Sequence, residues 1–544
     1  MPPIAFDRTS YLLIASLALF IALGGACGSS GSGQSGTEVS TAGANSVGGG
    51  DVVAGLGGET SAKAGSAGVP LAAGGSAGTT PVSTSGGADA MGGQGATSAG
   101  GAQSAAGRGG AGGASAGGSA AAGASGSNGS SAGAAGSGVS APSIATIVDE
   151  RPIGGASLQE GTTGGGSYAA ALAAGAVVNV TSVSQFVNAV GGTSAKIILV
   201  AANTYDFTTT PSTVQVCHEA CNPTTPVAYE AIGSFFCPAG ASLVNATLTA
   251  RTLKVGSNKT IIGLGAGATL KNLELDLSGS ANIILRNLTF SDINPGILDQ
   301  GDSLLMWPSD HVWVDHCTFM NASHSFLNIA SGWDSAGNLT TLTGYMTFSW
   351  NRFYGETTNS CGGKTHYAIG TNRNPGLTFH HNWIDNSNGR NPSLFGPYTW
   401  VHLFDNYFST ITYYGVSALC GASALLEGNS FSNVTWALYN NDGGAPTYSY
   451  CHTGYFGNIY AALNDSTYGA RNNLLDSAST TNLEGQTTFS SQVAVPKLVS
   501  GSTYRVAVPA APGFAATSYT YTLDVAPSAL AKTIPAGAGV DHLF

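Results

Sequence analysis

From residue 240 onward the chain alternates short apolar runs with clusters of Asn, Gly, Asp and Ser. The runs carry Val, Ile, Phe, Tyr and Trp, and few show a 3.6-residue period, so they predict strands rather than helices. Six of them share an ending, a polar pair followed by an aromatic or apolar position. They are ILRNLTF (284–290), VWVDHCTF (312–319), MTFSWNRF (346–353), LTFHHNWI (377–384), VHLFDNYF (401–408) and LLEGNSF (425–431). The position of Asn287 in this pattern recurs as His316, Asn351, Asn382, Asn406 and Asn429, at spacings of 29, 35, 31, 24 and 23 residues. A strand-only repeat in the twenties with insertions predicts a solenoid of the parallel β-helix type, each coil stacked on the last. The aligned asparagines then form an internal ladder, amide bonded to amide from coil to coil. GLGAGA (263–268) lacks the last glycine of a dinucleotide loop and precedes no amphipathic helix, so it reads as a turn of the β-helix.

The first 147 residues have a different pattern. Tyr11–Ala26 is one apolar run, YLLIASLALFIALGGA, too short to span a membrane comfortably and ending in small residues. It predicts a secretory signal over residues 1–27. Cys27 follows Leu-Gly-Gly-Ala, which resembles a bacterial lipobox with its leucine, Leu23, one position early; lipidation of Cys27 and an ordinary signal peptide are both open readings. Residues 28–147 are nearly all Gly, Ala, Ser and Thr, with Glu38, Asp51, Glu59, Lys63, Asp89 and Arg108 as the charges. Such a stretch buries too little apolar surface to offset chain entropy, and predicts a disordered linker that tethers a folded domain over residues 148–544.

Composition narrows the partners. Of 544 residues only 9 % are charged, and the net charge is −11, of which −2 falls on the linker and −9 beyond it. An acidic chain without a basic cluster argues against nucleic acid. The eight cysteines suit an exported protein. Cys217, Cys221 and Cys237 cluster in one loop-like stretch where disulfides are expected, with the pairing open. Cys317 lies inside an apolar strand and reads as a buried free thiol.

Several motifs then fall in one order along the repeat: GTTGGG (161–166), SNKTIIGLG (257–265), VWVDHCTF (312–319), LTFHHNWIDN (377–386), GRNP (389–392) and YTYTLDVAPSALAKTIPAGAG (519–539). Together they resemble the pectate and pectin lyases of polysaccharide lyase family one, over residues 150 to 540. The resemblance implies a right-handed, single-stranded parallel β-helix with a substrate groove along one sheet. It also implies β-elimination across the C4–C5 bond of a galacturonate unit. That reaction needs a base for the C5 proton, positive charge for the enolate-like intermediate, and departure of the C4 oxygen.

By the same resemblance the base is the first Arg of an Arg-x-Pro-x-x-Arg motif, which is Arg390; the second Arg is replaced by Phe395. Pectate lyases bind calcium through acidic ligands, and calcium wants several oxygens. Here Asp302 matches one ligand position, while the others fall on Gln300, His324 and Asn328. These departures, and DINP (292–295), resemble pectin lyases, in which a cationic residue stands in for calcium. His324 occupies that position, so the catalytic set expected is Arg390, Asp302 and His324, with no cofactor required. If calcium is bound, Asp302 and Asp299 are the metal candidates. Lys364 and His366 in CGGKTHYAIG lie where the family places a substrate-binding cation, and Trp307, Tyr413 and Tyr414 could stack on sugar faces. Asp315, His316, His380 and His381 read mainly as structural.

The leading expectation is an exported, secreted or surface-tethered monomeric lyase acting on pectin or polygalacturonate, pectin lyase-like in its thinned acidic cluster. A calcium-dependent pectate lyase is the second reading. A non-catalytic β-helix that binds polysaccharide or serves as an adhesin is a third, from another class.

Overall fold

The computed structural model describes residues 142–544 apart from 219–230, 233–241, 299, 334–338, 359–361, 366, 441–466, 484–498, 500, 513 and 525. Its strands form a parallel β-helix. One ten-stranded parallel sheet runs from Val177–Val180 to Thr467–Arg471. Two further parallel faces are joined into one sheet because two long strands, Tyr407–Leu419 and Ser430–Asn440, each pair in both. One of these faces stacks Arg251–Lys254, Leu273–Asp276, Leu304–Met306, Leu327–Ala330, Ile369–Asn372 and Ser393–Phe395; the candidate site lies along it.

Stacked coils put like residues on like. In the ten-stranded sheet Ile261, Leu285, Val314, Phe348, Phe379, Leu403 and Leu426 are in register and all fully buried. Each contributes about 1.5–3 kcal/mol of burial. Aromatic residues stack along the axis in the same way: Phe290 on Phe319 and Phe319 on Phe353, each at 5.1 Å between ring centroids.

The asparagine ladder is present, but it starts later than the sequence alignment places it. Asn351, Asn382, Asn406, Asn429 and Asn473 are linked by amide-to-amide bonds of 2.9–3.0 Å. In the preceding coil Cys317 occupies this column, its backbone N–H donating to Asn351 Oδ1 at 2.9 Å. Thr318 pairs with Arg352, so His316 falls opposite Trp350, not Asn351. Asn287 and His316 therefore belong to the column one residue earlier, which continues through Trp350, His381, Asp405, Gly428 and Asn472. All have φ between 50° and 66°. This left-handed residue turns the chain from one sheet to the next, a conformation that Asn and Asp adopt more readily than most. Trp350 stands between the rings of His316 and His381, at 5.9 and 4.5 Å.

The chain ends decide which face stays accessible. The segment at Gly154–Gly165 lies on the outer side of the ten-stranded sheet, with Gly155 and Ala156 N–H donating to Thr378 and Thr347 hydroxyls. The antiparallel hairpin Thr503–Val508 and Thr517–Thr522 covers its far part, with Tyr519 bonded to both Thr378 and His402. Cys317 is a buried free thiol, pushed by burial up to about 12. Cys420 is disulfide-bonded. The side chain of Cys217, and all of Cys27, Cys221 and Cys237, lie outside the described residues, as do Asp299 and His366. No helix among the described residues is long and apolar enough to cross a membrane.

Candidate active site

Asp302, His324, Tyr367 and Arg390 each stand just before a strand of the same face, on four consecutive coils. Parallel strands repeat at about 4.8 Å, so the four side chains form a row along the helix axis. Backbone bonds fix the order: His324 N–H donates to Gly301 O at 2.9 Å, and Ile369 N–H donates to Arg390 O at 2.7 Å. Gly301 has φ 130°, and a Cβ there would come within 2.9 Å of the Ile293 methyl, so only glycine admits this approach to Asp302.

Asp302 is the hub of the row. Its Oδ1 accepts from His324 Nδ1 at 2.8 Å and from Ser325 N–H at 2.9 Å. Its Oδ2 accepts from Asn328 Nδ2 at 3.0 Å, and Asn328 Oδ1 accepts from Trp307 Nε1 at 3.0 Å. Three of the positions that the sequence resemblance associates with calcium, Asp302, His324 and Asn328, are thus bonded to one another. Both Asp302 oxygens face protein donors, and His324 and Asn328 present N–H groups rather than oxygens. A hard cation needs six or more oxygen ligands. Among the described residues no set of three His, Cys, Asp or Glu side chains is disposed to hold a metal ion, and the donors that Asp302, His324 and Asn328 present do not fit calcium.

A second carboxylate was not expected. Glu274, one coil earlier and almost buried, accepts the Asp302 backbone N–H at 2.9 Å through Oε2 and the Thr252 hydroxyl at 3.1 Å through Oε1. The LELD run (273–276) places it on the side of the strand facing away from Leu273 and Leu275, both core residues, and that alternation is the signal that could have found it.

Arg390 is 9 % exposed and has φ 55°. Its guanidinium lies 4.7 Å from the centroid of the Tyr367 ring. Three other arginines of the stack pair with carboxylates: Arg286 with Asp315 and Glu150, Arg352 with Asp385, Arg471 with Glu427. Arg390 has no carboxylate within ion-pair distance among the described residues. The remaining candidates separate. Lys364 donates to Thr410 O at 3.1 Å, outside the Asp302 cluster; burial lowers its pKa, with Asp385 opposing. Trp307 is half-buried and joins the cluster through Asn328. Beyond Arg390, Tyr414 is buried and Tyr413 half-buried; Tyr413 packs 5.0 Å from Trp436, and Tyr414 stacks 4.9 Å from Tyr439.

Asp315, His316, His380 and His381 sit on the ten-stranded sheet or its turns. Burial alone would raise the Asp315 pKa, but the charges of His316 and Arg286 hold it far below the usual carboxylate range. His380 is buried against Phe404, and burial keeps it neutral, well below the usual range.

The family model described as pectate lyase matches residues 238–543. Probable pectin lyase F-2 of Aspergillus terreus is 30% identical over 291 residues, covering 51% of this chain and 56% of that protein. Probable pectin lyase F-1 of the same organism is 30% identical over 294 residues, covering 51% and 71%. The pectate trisaccharide-lyase of Bacillus licheniformis is 32% identical over 200 residues, covering 35% and 55%. The chain thus spans a little over half the length of the first and third of these relatives. With the matched region running through the Asp302–Arg390 row to the C-terminal segment, the chain belongs to the pectate lyase family.

Proposed function

We propose that this chain cleaves methyl-esterified pectin by β-elimination without calcium. Arg390 takes the C5 proton, the C4–C5 double bond forms, and the C4–O bond breaks, its oxygen leaving with the other half of the chain and taking a proton from solvent. Arginine is a base only through its small neutral fraction, since its pKa normally exceeds about 12. The observation that carries the reading is that Arg390 has no carboxylate among the described residues within ion-pair distance, which would otherwise fix its charge, and stands in the same row as His324. Asp302 holds His324 through Nδ1, and a protonated imidazole there supplies the positive charge that the enolate-like intermediate requires. A methyl ester suits this site better than a free carboxylate, because the substrate then brings no negative charge of its own to neutralise.

The test is Arg390→Ala. It should lower formation of the unsaturated product by about 100-fold or more, with the thermal midpoint unchanged within a few degrees. Near-wild-type turnover would remove Arg390 from the chemistry. The Tyr11–Ala26 run and Cys27 support export with a lipid anchor; Cys27→Ser should then move the protein out of the membrane fraction, and unchanged fractionation would reject the anchor.

A further inference from the structure

Tyr367 belongs to none of the expected site residues, yet its ring lies between two of them. Its coil is the one between those of His324 and Arg390. The Arg390 guanidinium sits 4.7 Å from the ring centroid, and the His324 imidazole centroid 5.1 Å away at 43°. The ring is 2 % exposed, packs against Leu298, and its backbone N–H donates to the Thr365 hydroxyl at 3.2 Å. It cannot swing away without opening the packing around it.

Two cationic side chains on neighbouring coils repel when nothing lies between them. An aromatic face attracts a cation through its quadrupole, and more strongly where water is excluded. We propose that Tyr367 is the positioning residue of the site: its ring holds Arg390 in place and spaces it from His324, so that base and positive charge act on one sugar unit. This rests on the reading of Arg390 as the base. The ring's face, not its hydroxyl, carries the effect. The ring meets a guanidinium with no carboxylate among the described residues within ion-pair distance, and an imidazole anchored from behind by Asp302. Removing the face leaves His324 anchored and frees Arg390. Turnover should therefore suffer, while substrate binding along the rest of the face should change little.

The experiment measures kcat and KM on methylated pectin across pH for Tyr367→Phe and Tyr367→Leu, with Arg390→Ala in parallel. Tyr367→Phe should stay within about threefold of the wild-type kcat, because the face is kept. Tyr367→Leu should lose about 10- to 100-fold in kcat, with KM within about threefold and the alkaline limb of the kcat profile displaced. If Tyr367→Leu does not fold, Tyr367→Met, a flexible chain that fills more of the space, carries the same expectation. A Leu or Met variant with wild-type kcat and pH profile overturns the proposal, and so does a Phe variant as impaired as either. An active Arg390→Ala enzyme would instead reject the underlying assignment of the base, whatever Tyr367 does.

Discussion

Replacing Asp302 by Asn changes one oxygen for an NH2 and tests the polarity of the whole cluster. The variant can still present its amide oxygen to His324 Nδ1–H and Ser325 N–H. Its new NH2 then faces Asn328 Nδ2, a donor against a donor. Rotating the Asn328 amide relieves that contact only by turning its NH2 toward Trp307 Nε1–H. Either way one buried donor loses its acceptor, at a cost of about 1–3 kcal/mol. The negative charge beside His324 disappears as well, so the positive imidazolium is less favoured, and turnover on pectin should fall about 100-fold. The double variant Asp302→Asn with Asn328→Asp separates the two effects. The amide at 302 then donates to the carboxylate at 328, which also accepts from Trp307, so stability should return to within about 1 kcal/mol. The carboxylate no longer holds His324, so activity should stay low. Urea unfolding and initial rates on pectin read the two quantities. Recovery of activity in step with stability would refute the assignment of Asp302 as the anchor of His324.

Two predictions concern the fold. Asn406→Ala removes the acceptor of Asn382 N–H and Nδ2 and the donor to Phe379 O and Asn429 Oδ1, all in the interior. It should cost about 4 kcal/mol or more by urea unfolding, and clearly more than Asn473→Ala at the end of the ladder; equal, small losses would contradict the ladder's role. Asp405 is pushed up to about 8 by burial, with the Asp524 and Glu427 carboxylates adding and the Asp524 N–H opposing. The folded state thus keeps a proton that the unfolded chain releases near pH 4, and stability falls as pH rises from about 4 to about 8, then levels. Asp405→Asn should unfold at the wild-type temperature near pH 4 and several degrees higher at pH 9; parallel profiles would refute this.

The strands and most of the ladder were legible because each coil repeats the same apolar and asparagine positions. The register broke at His316 because Cys317 fills the ladder column with nothing but a backbone N–H, and no side-chain signal marks that substitution. Asp302 and His324 were singled out from motif position, but their direct bond was not, since coil-to-coil register depends on loop lengths that vary between them. Glu274 and Tyr367 were missed for a related reason. Glu274 reads as an ordinary solvent-facing strand residue, and Tyr367 as one aromatic among the core. Their roles arise only when stacking brings neighbouring coils together.

The central claim, calcium-free elimination from methylated pectin, is tested most directly by the absorbance of unsaturated product. The substrates are highly methylated pectin and polygalacturonate, each with and without a calcium chelator. The account predicts faster release from pectin, unchanged by the chelator. Product from polygalacturonate alone, lost on chelation, would contradict it and favour calcium-dependent pectate cleavage. No product from either would contradict it in favour of a binding module.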